Sequence, residues 1–258
     1  MGKVLAVANQ KGGVGKTTTA VNLAASLGAT RRRVLLIDLD PQGNATMGSG
    51  VDKYRISSSS CDVLLKRKSA GDVITRGEGM GYDVMPANAD LTVAEVNLMT
   101  ALRREYRLQD ALAEIQSEYD FIIIDCPPSL NMLTVNALVA SHGVVIPMQC
   151  EYFALEGLSA LVQTINSIRE SVNDQLQIHG LLRTMYDPRN NLSTEVSEQL
   201  SAHFGDQVYQ TVIPRNVRLA EAPSHGLPVI MYDKQSRGAM AYLALAGEIL
   251  RRESAHAA

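Results

Sequence analysis

The sequence predicts a single α/β domain spanning residues 1–258, built on a doubly wound, mostly parallel sheet with helices on both faces. Six short runs are almost continuously apolar, as expected for strands buried on both faces of such a sheet. These runs are Val4–Ala8, Val34–Ile37, Tyr82–Met85, Phe121–Ile124, Gly143–Pro147 and Ile178–Leu182. Segments with helical spacing separate or follow them: Thr18–Leu27, Leu91–Ile115 with room for a break, Leu155–Val172, Thr194–Phe204 and Arg237–Leu250. In this fold class, ligands bind at the carboxyl ends of the strands.

The composition is that of an ordinary globular protein and argues against several classes. Of 258 residues, 46% are hydrophobic and 20% are charged. The cysteines Cys61, Cys126 and Cys150 are odd in number and show no paired spacing, which argues against a disulfide framework or a four-cysteine metal site. No apolar run approaches the ~20 residues of a membrane-spanning helix, so we expect a cytoplasmic protein without a membrane partner. Because the net charge is −3, any DNA contact must come from a local basic patch.

A glycine-rich loop follows the first predicted strand and precedes a predicted helix. It reads Lys11-Gly12-Gly13-Val14-Gly15-Lys16-Thr17-Thr18. Glycines let backbone N–H groups turn inward around anionic oxygens, and the helix N-terminus adds its dipole. Lys16 is placed to reach the outer phosphates of a nucleotide, and the Thr17 hydroxyl to bind Mg²⁺. The standard pattern G-x-x-x-x-G-K-[ST] would put a glycine where Gln10 stands, and this loop instead carries an additional lysine, Lys11, beside it.

Carboxylates end two further predicted strands. Asp38 and Asp40 follow the second strand at positions i and i+2, and Pro41 then breaks the strand into a loop. One of the two can lie near Mg²⁺ and the other near an attacking water; alternatively, either carboxylate caps the turn that follows it. Asp125 ends the run Phe121–Ile124 in the Walker B arrangement, and we expect it to hold Mg²⁺ through water. Cys126 is expected to be a packed thiol.

The motifs together resemble one superfamily. The loop K-G-G-V-G-K-T-T is similar to the deviant Walker A loop of the ParA/MinD/nitrogenase-iron-protein superfamily. The segment D-x-D-P-Q-G-N at 38–44 resembles its switch I, and D-x-P-P at 125–128 its switch II. Three downstream segments, 149–158, 184–193 and 213–226, look like those of chromosomal ParA (Soj-like) proteins. The resemblance runs from the first strand to about Leu250.

The resemblance implies ATP and Mg²⁺ as cofactors, a P-loop NTPase fold of the deviant Walker type and slow ATP hydrolysis. It implies that Lys11 reaches across a homodimer interface to the nucleotide of the other subunit. It assigns Asp40 to positioning or activating water, with Asp38 nearer the metal beside Thr17 and Asp125. In the family, Pro214 packs on the adenine and Asn216 lies at its polar edge; an ordinary turn is the alternative.

DNA binding is a further implication of the resemblance. The family's non-specific contacts with double-stranded DNA point to Arg189 and Arg218, and we add Lys234, Arg237, Arg251 and Arg252 as candidates, with solvated surface charges as the alternative. In some relatives a lysine stands where this chain has Leu227. The family also implies a ParB-like partner and a location on the nucleoid. Because the first strand begins almost at Met1, we expect no N-terminal helix-turn-helix extension.

Other functions use the same loop. A positioning ATPase for another cargo would share the switch residues and stays open. A MinD-like membrane cycler needs a basic amphipathic C-terminal helix, and the sequence after Leu250 lacks its apolar face. An iron–sulfur reductase needs a second suitably placed cysteine besides Cys126, and an ATP-dependent metabolic ligase would lack the partition-type segments. Segregation of a chromosome or plasmid is therefore the function we expect.

Overall fold

The computed structural model describes residues 2–77, 79–152 and 154–256. Seven strands form one sheet, and every pairing between them is parallel. The strands are β1 (Lys3–Val7), β2 (Val34–Asp38), β3 (Asp83–Met85), β4 (Phe121–Asp125), β5 (Gly143–Gln149), β6 (Gln177–Tyr186) and β7 (Val208–Pro214). Their order across the sheet is β3-β2-β4-β1-β5-β6-β7. The chain thus extends to both sides of β1, which confirms the predicted doubly wound α/β fold.

Helices connect successive strands and cover both faces of the sheet. In the described part of the chain they are α1 (Lys16–Ala29), α2 (Asn44–Gly48), α3 (Ser60–Leu64), α4 (Ala70–Val73), α5 (Leu91–Leu98), α6 (Arg107–Leu112), α7 (Met132–Val139), α8 (Ala154–Ser171), α9 (Asn191–Phe204), α10 (Val217–Glu221), α11 (Val229–Tyr232) and α12 (Arg237–His256). Short 3₁₀ segments lie at Arg104–Tyr106, Gln116–Glu118, Gly205–Gln207 and Ala222–His225.

Two hydrophobic cores lie on opposite faces of the sheet. Successive side chains of a strand point to opposite faces, so Val4 and Ala6 of β1 join one core while Leu5 and Val7 join the other. The first core contains residues of α3, α5, α6, α7 and α8. The second contains residues of α1 and α12, which pack on each other. Burial on both faces explains why the central strands are continuously apolar.

The strand register brings three chain segments to one edge of the sheet. Val7 of β1 is paired with Asp125 of β4, and Asp125 is paired with Asp38 of β2. The loops that follow these three strands therefore begin side by side. The glycine-rich loop and both carboxylate-bearing segments meet there, at the carboxyl ends of the strands.

The structure adds a seventh strand to the six that were predicted, and it breaks the long helical stretch for which a break was expected. The seventh strand, β7, was not predicted, because it mixes polar residues with apolar ones and its core burial is broken. An edge strand that pairs only with β6 tolerates that pattern. The stretch Leu91–Ile115 is interrupted: α5 ends at Leu98, Arg103 has a left-handed φ of 51°, and helix resumes at Arg107.

Candidate functional site

The glycine-rich loop forms an open cradle between β1 and α1. Gly13 and Gly15 have φ angles of 75° and 88°, which a residue with a side chain rarely adopts. A Cβ at Gly12 or Gly13 would meet no atom within 4 Å, so the space beside the backbone is free for a ligand. The Thr184 hydroxyl of β6 donates a 2.8 Å hydrogen bond to the Val14 carbonyl and ties the loop to the sheet.

The two loop lysines have different surroundings. Lys16 begins α1, is 7% exposed and donates from Nζ to the Lys11 carbonyl over 3.0 Å. Burial lowers the pKa of Lys16, although the carboxylates of Asp125 and Asp40 act to raise it. Lys11 is half exposed, and its Nζ lies 2.6 Å from Oε2 of Glu151, in the loop after β5. One lysine therefore lies within the cradle, and the other lies at its rim.

Asp125 is a buried carboxylate close to the Thr17 side chain. The residue is 0% exposed, and neither side-chain oxygen receives a hydrogen bond of normal geometry from the described residues. Burial raises the pKa of Asp125 well above its usual range, and the negative charge of Asp38 raises it further; Thr17 and Lys16 act in the opposite direction. An unpaired buried carboxylate is costly unless a cation is bound beside it. The residues at this position therefore fit a divalent metal ion.

Asp38 is also buried, but its oxygens are fully engaged. Its Oδ2 accepts hydrogen bonds from the backbone N–H and hydroxyl of Thr46, at 2.8 and 2.7 Å, and its Oδ1 accepts from the N–H of Asp40 at 3.0 Å. Burial raises the pKa of Asp38 to about 6 even though these hydrogen bonds lower it. This is the turn-capping arrangement that the sequence left open as the alternative. The metal role of Asp38 stays a prediction.

Asp40 lies at the beginning of the switch loop that Asp38 supports. It is 9% exposed, and its Oδ1 accepts from the Gln42 N–H at 2.9 Å. Lys53 donates to the Gln42 carbonyl, and the Thr46 hydroxyl also accepts from the Ala87 N–H after β3. The loop is thus anchored at Gln42 and Thr46, both of which follow Asp40 in the chain. The second oxygen of Asp40, Oδ2, receives no hydrogen bond among those found in the described residues.

A second cavity adjoins the phosphate cradle. It has a volume of about 210 Å³ and is lined by Gly15 and Thr18 on one side and by Met185, Pro214 and Asn216 on another. Asn216 is one of the lining residues, and its buried Oδ1 has no hydrogen-bond donor among the described residues. Met185 has a positive φ of 48°, a strained conformation of the kind that clusters at functional sites.

Five of the six basic residues predicted to contact DNA are exposed, and three of the six form ion pairs with acidic residues, among them Arg252 with Glu248 at 3.1 Å. Arg189 forms two hydrogen bonds with the Asp187 carboxylate, at 2.9 and 2.7 Å. Arg218 pairs with Glu221 at 2.8 Å and with Asp233 at 3.2 Å. Lys234 and Arg237 are exposed on the neighbouring segment, and neither forms an ion pair with another described residue.

The two C-terminal candidates differ in placement. Arg252 donates to the carbonyls of His179 and Val208, at the amino ends of β6 and β7, and so lies at the sheet edge opposite the phosphate loop. Arg251 is exposed on the same helix. Arg252 thus has a structural role in joining α12 to the sheet.

Sequence reasoning missed several residues that the structure places at the site. Thr46 hydrogen-bonds to Asp38 and to the Ala87 N–H, and Thr184 hydrogen-bonds to the glycine-rich loop. No local sequence pattern distinguishes either threonine from others in the chain. Glu151 belongs to the segment 149–158, which carried a resemblance but no assigned role; its neighbour Phe153 lies outside the described residues.

Cys126 is buried, and burial raises the pKa of its thiol, as expected for a packed cysteine. In the part of the chain that is described, no helix is long and apolar enough to cross a membrane.

Comparison with known proteins places the chain in a family. The AAA domain family matches residues 2–178. The sporulation initiation inhibitor protein Soj of Bacillus subtilis is 53% identical and is matched over 96% of this chain and 98% of its own length. The chromosome partitioning protein ParA of Caulobacter vibrioides is also 53% identical, over 97% of this chain and 95% of its own.

A solved structure with bound ADP and magnesium shares the fold. It is described as cobyrinic acid a,c-diamide synthase from Mycobacterium smegmatis with bound ADP and magnesium; it is 39% identical, has a TM-score of 0.87 and is matched over 98% of this chain and 96% of its own. The same protein has also been solved with an ATP analogue and magnesium, which agrees with the expectation of ATP and Mg²⁺. Since the matched relatives span nearly the whole chain, it belongs to the ParA/Soj type of chromosome-partitioning ATPases.

Proposed function

We propose that this protein is an ATP-dependent dimerising switch that binds DNA non-specifically and hydrolyses ATP slowly to segregate a chromosome or plasmid with a ParB-like partner. The observation that carries the proposal is the pair of lysines at one phosphate cradle, Lys16 within it and Lys11 at its rim. A lysine at the rim can contact phosphates bound to a second chain. The 53% identity to Soj and ParA over nearly the full chain supports the same role.

The nucleotide would lie along the carboxyl edge of the sheet. The N–H groups of Gly12, Gly13 and Gly15, with Lys16 and Thr18, would bind the phosphates. The cavity beside Pro214 would take the adenine, since the unpaired Asn216 Oδ1 can accept a hydrogen bond from its amino group. We assign the magnesium ion to Thr17 and Asp125, with Asp38 behind them. When bound, Mg²⁺ would neutralise phosphate charge.

Asp40 is the group we assign to the attacking water. Its carboxylate has one oxygen held by the Gln42 N–H, so the other can accept a hydrogen bond from water. The anchored loop around Asp40 would fix that water relative to the outer phosphate and favour in-line attack. Asp40→Ala should then retain ATP binding and dimerisation but stop hydrolysis.

Lys11 would join nucleotide binding to dimerisation. A second cation placed on the phosphates from another subunit offsets charge that develops during phosphoryl transfer, as an arginine finger does. It also makes ATP part of the interface, so that nucleotide state and subunit association are coupled. ATP would close the dimer, and hydrolysis would reopen it.

DNA binding would come from a surface that the dimer duplicates. Arg189, Arg218, Lys234 and Arg237 supply its positive charge, and acidic neighbours of Arg189 and Arg218 reduce it. Affinity for the phosphate backbone rises steeply with the number of phosphates that are neutralised. Doubling a weak surface would therefore convert negligible binding by the monomer into strong binding by the ATP dimer on the nucleoid.

The test measures retention on arbitrary duplex DNA with ATP, with ADP and without nucleotide, at roughly 50 to 200 mM salt. We expect retention only with ATP and a steep loss as salt rises. Lys11→Ala should abolish both dimerisation and retention, while Asp40→Ala should remain on DNA. Lys68→Ala, at an exposed lysine remote from the cradle, is the matched control. The absence of salt-sensitive DNA binding by wild-type protein with ATP would contradict the proposal.

A second candidate function is ATP-dependent diamide synthesis, favoured by the 39% identity to the Mycobacterium smegmatis protein. It would require a substrate other than DNA. ATP turnover that depends on cobyrinic acid and an ammonia donor, and that is unaffected by DNA, would favour this candidate. The higher identity to Soj and ParA, 53%, favours partition.

A further inference from the structure

Lys11 is held within its own chain at three points. Its N–H donates to Asn9 Oδ1 over 2.9 Å, and Asn9 donates from Nδ2 to the Pro147 carbonyl of β5 over 2.7 Å. Its carbonyl accepts from Lys16 Nζ, and its ammonium lies 2.6 Å from the Glu151 carboxylate. Two of the three contacts fix the backbone of Lys11. The third contact pairs the Lys11 ammonium with Glu151, whereas the proposed dimer requires that ammonium at the nucleotide of the second chain.

Glu151 is itself fixed relative to the nucleotide site. Its N–H donates to the Gln149 carbonyl at the end of β5. The Gln149 side chain donates from Nε2 to the sulfur of Met185, which lines the cavity beside Pro214. The carboxylate thus projects from a segment that contacts both the cradle and this cavity, 140 residues along the chain from Lys11. The folded backbone therefore brings the two segments together, while the two side chains themselves stay partly exposed.

A nucleotide on a second chain and the Glu151 carboxylate would bind the same group. Each is an anionic group that attracts the ammonium through short, charge-assisted hydrogen bonds, so the contact with Glu151 competes with the contact across the dimer. We propose that Glu151 is a positioning residue for Lys11: its carboxylate holds the ammonium on its own chain until the triphosphate bound to a second chain displaces it. This role rests on the proposed function, because it requires that Lys11 act across a dimer.

The exposure of the pair sets the size of the effect. Lys11 and Glu151 side chains are 43% and 52% exposed, so water and salt screen their attraction and the ion pair is easily broken. Each dimer must break two such pairs. Exposed pairs of this kind, taken twice, correspond to a change of about two- to thirty-fold in the dimer dissociation constant. Glu151 therefore sets the protein concentration at which ATP produces dimers, without preventing them.

The experiment is sedimentation of Glu151→Gln, a nearly isosteric and neutral substitution, with a non-hydrolysable ATP analogue and Mg²⁺. The expected result is a dimer dissociation constant about two- to thirty-fold below that of wild type at low salt, with the difference shrinking at about 1 M salt, where charges are screened within about 3 Å. Glu198→Gln, at an exposed glutamate on α9, removes the same charge elsewhere and should match wild type. Nucleotide affinity of the monomer and the melting temperature should be unchanged in both variants.

The outcomes separate the two proposals. A dissociation constant of Glu151→Gln that equals or exceeds the wild-type value, in wild-type protein that does dimerise, would overturn the role of Glu151 and leave the proposed function intact. An equal decrease in the Glu198→Gln variant would also overturn it, since the effect would then follow net charge. Failure of wild-type protein to dimerise with the analogue at any concentration would refute the proposed function itself.

Discussion

Replacing Asp125 with asparagine should stabilise the protein in the absence of nucleotide and magnesium. Asp125 is 0% exposed, receives no hydrogen bond of normal geometry from the described residues and is paired in the sheet with Asp38. Asparagine has the same shape but no charge, so it removes the desolvation penalty of the carboxylate and its repulsion from Asp38. At the position that we assign to magnesium, the carboxylate needed for function thus makes the ligand-free protein less stable.

The magnitude follows from the sheet geometry. Adjacent strands lie about 4.8 Å apart, and two charges at that separation repel by about 3 kcal/mol at an effective dielectric constant of about 20. The nearby Lys16 offsets part of this, and the amide is still left without a partner. We therefore expect Asp125→Asn to raise the free energy of unfolding by about 2 kcal/mol at pH 8, or roughly 4–8 °C in melting temperature.

The pH dependence of stability is a second, independent reason to expect that Asp125→Asn stabilises the protein. The pKa of Asp125 is raised in the folded protein above its ordinary 3.8, so above pH 4 the native state binds a proton that the unfolded state has lost. Wild-type stability must then fall as pH rises through that window. Asparagine does not titrate, so the difference in unfolding free energy between Asp125→Asn and wild type should grow from pH 4 to pH 8.

The assay is chemical denaturation in a chelator, at a series of pH values, for wild type, Asp125→Asn and the exposed control Asp174→Asn. The control should stay within about 0.5 kcal/mol of wild type. Adding ATP and Mg²⁺ should stabilise wild type more than the variant, because only wild type keeps the carboxylate. An Asp125→Asn protein no more stable than wild type at pH 8 without ligands would refute the reasoning.

Two further predictions concern parts of the fold remote from the nucleotide. Glu253 is partly buried, which raises its pKa, but hydrogen bonds from His179 and Lys3 outweigh burial and lower it to about 2. The stabilisation from ionised Glu253 is therefore present above pH 4.5 and lost towards pH 2. In urea denaturation, Glu253→Gln should lower the free energy of unfolding by about 1 kcal/mol at pH 7 and by less at pH 3. An equal loss at both pH values would contradict this. Gly28→Ala would place a Cβ against the Gly81 carbonyl oxygen and should lower the unfolding free energy by about 1–3 kcal/mol, whereas Gly157→Ala, in open space, should show no such loss.

Local patterns in the sequence were enough to predict the fold class and the position of the cradle. Strands buried on both faces are continuously apolar, and a glycine-rich loop between a strand and a helix has few other uses. Parallel strands also place their carboxyl ends at one edge, which brings Asp38 and Asp125 together in adjacent strands as expected. The edge strand β7 was not predicted. It pairs with one strand and is only partly buried, so its sequence shows little hydrophobic periodicity.

The sequence by itself determined that this protein has a deviant phosphate loop with two lysines and carboxylates at neighbouring strand ends, because these features lie within short continuous segments. Only the tertiary structure decided what each group contacts. Among the described residues it gives Asp125 no hydrogen bond of normal geometry, and it places Thr46 against Asp38 and Glu151 against Lys11. Such contacts depend on how distant segments pack around a common core, and the identity of the partner is not encoded in the spacing of either segment alone.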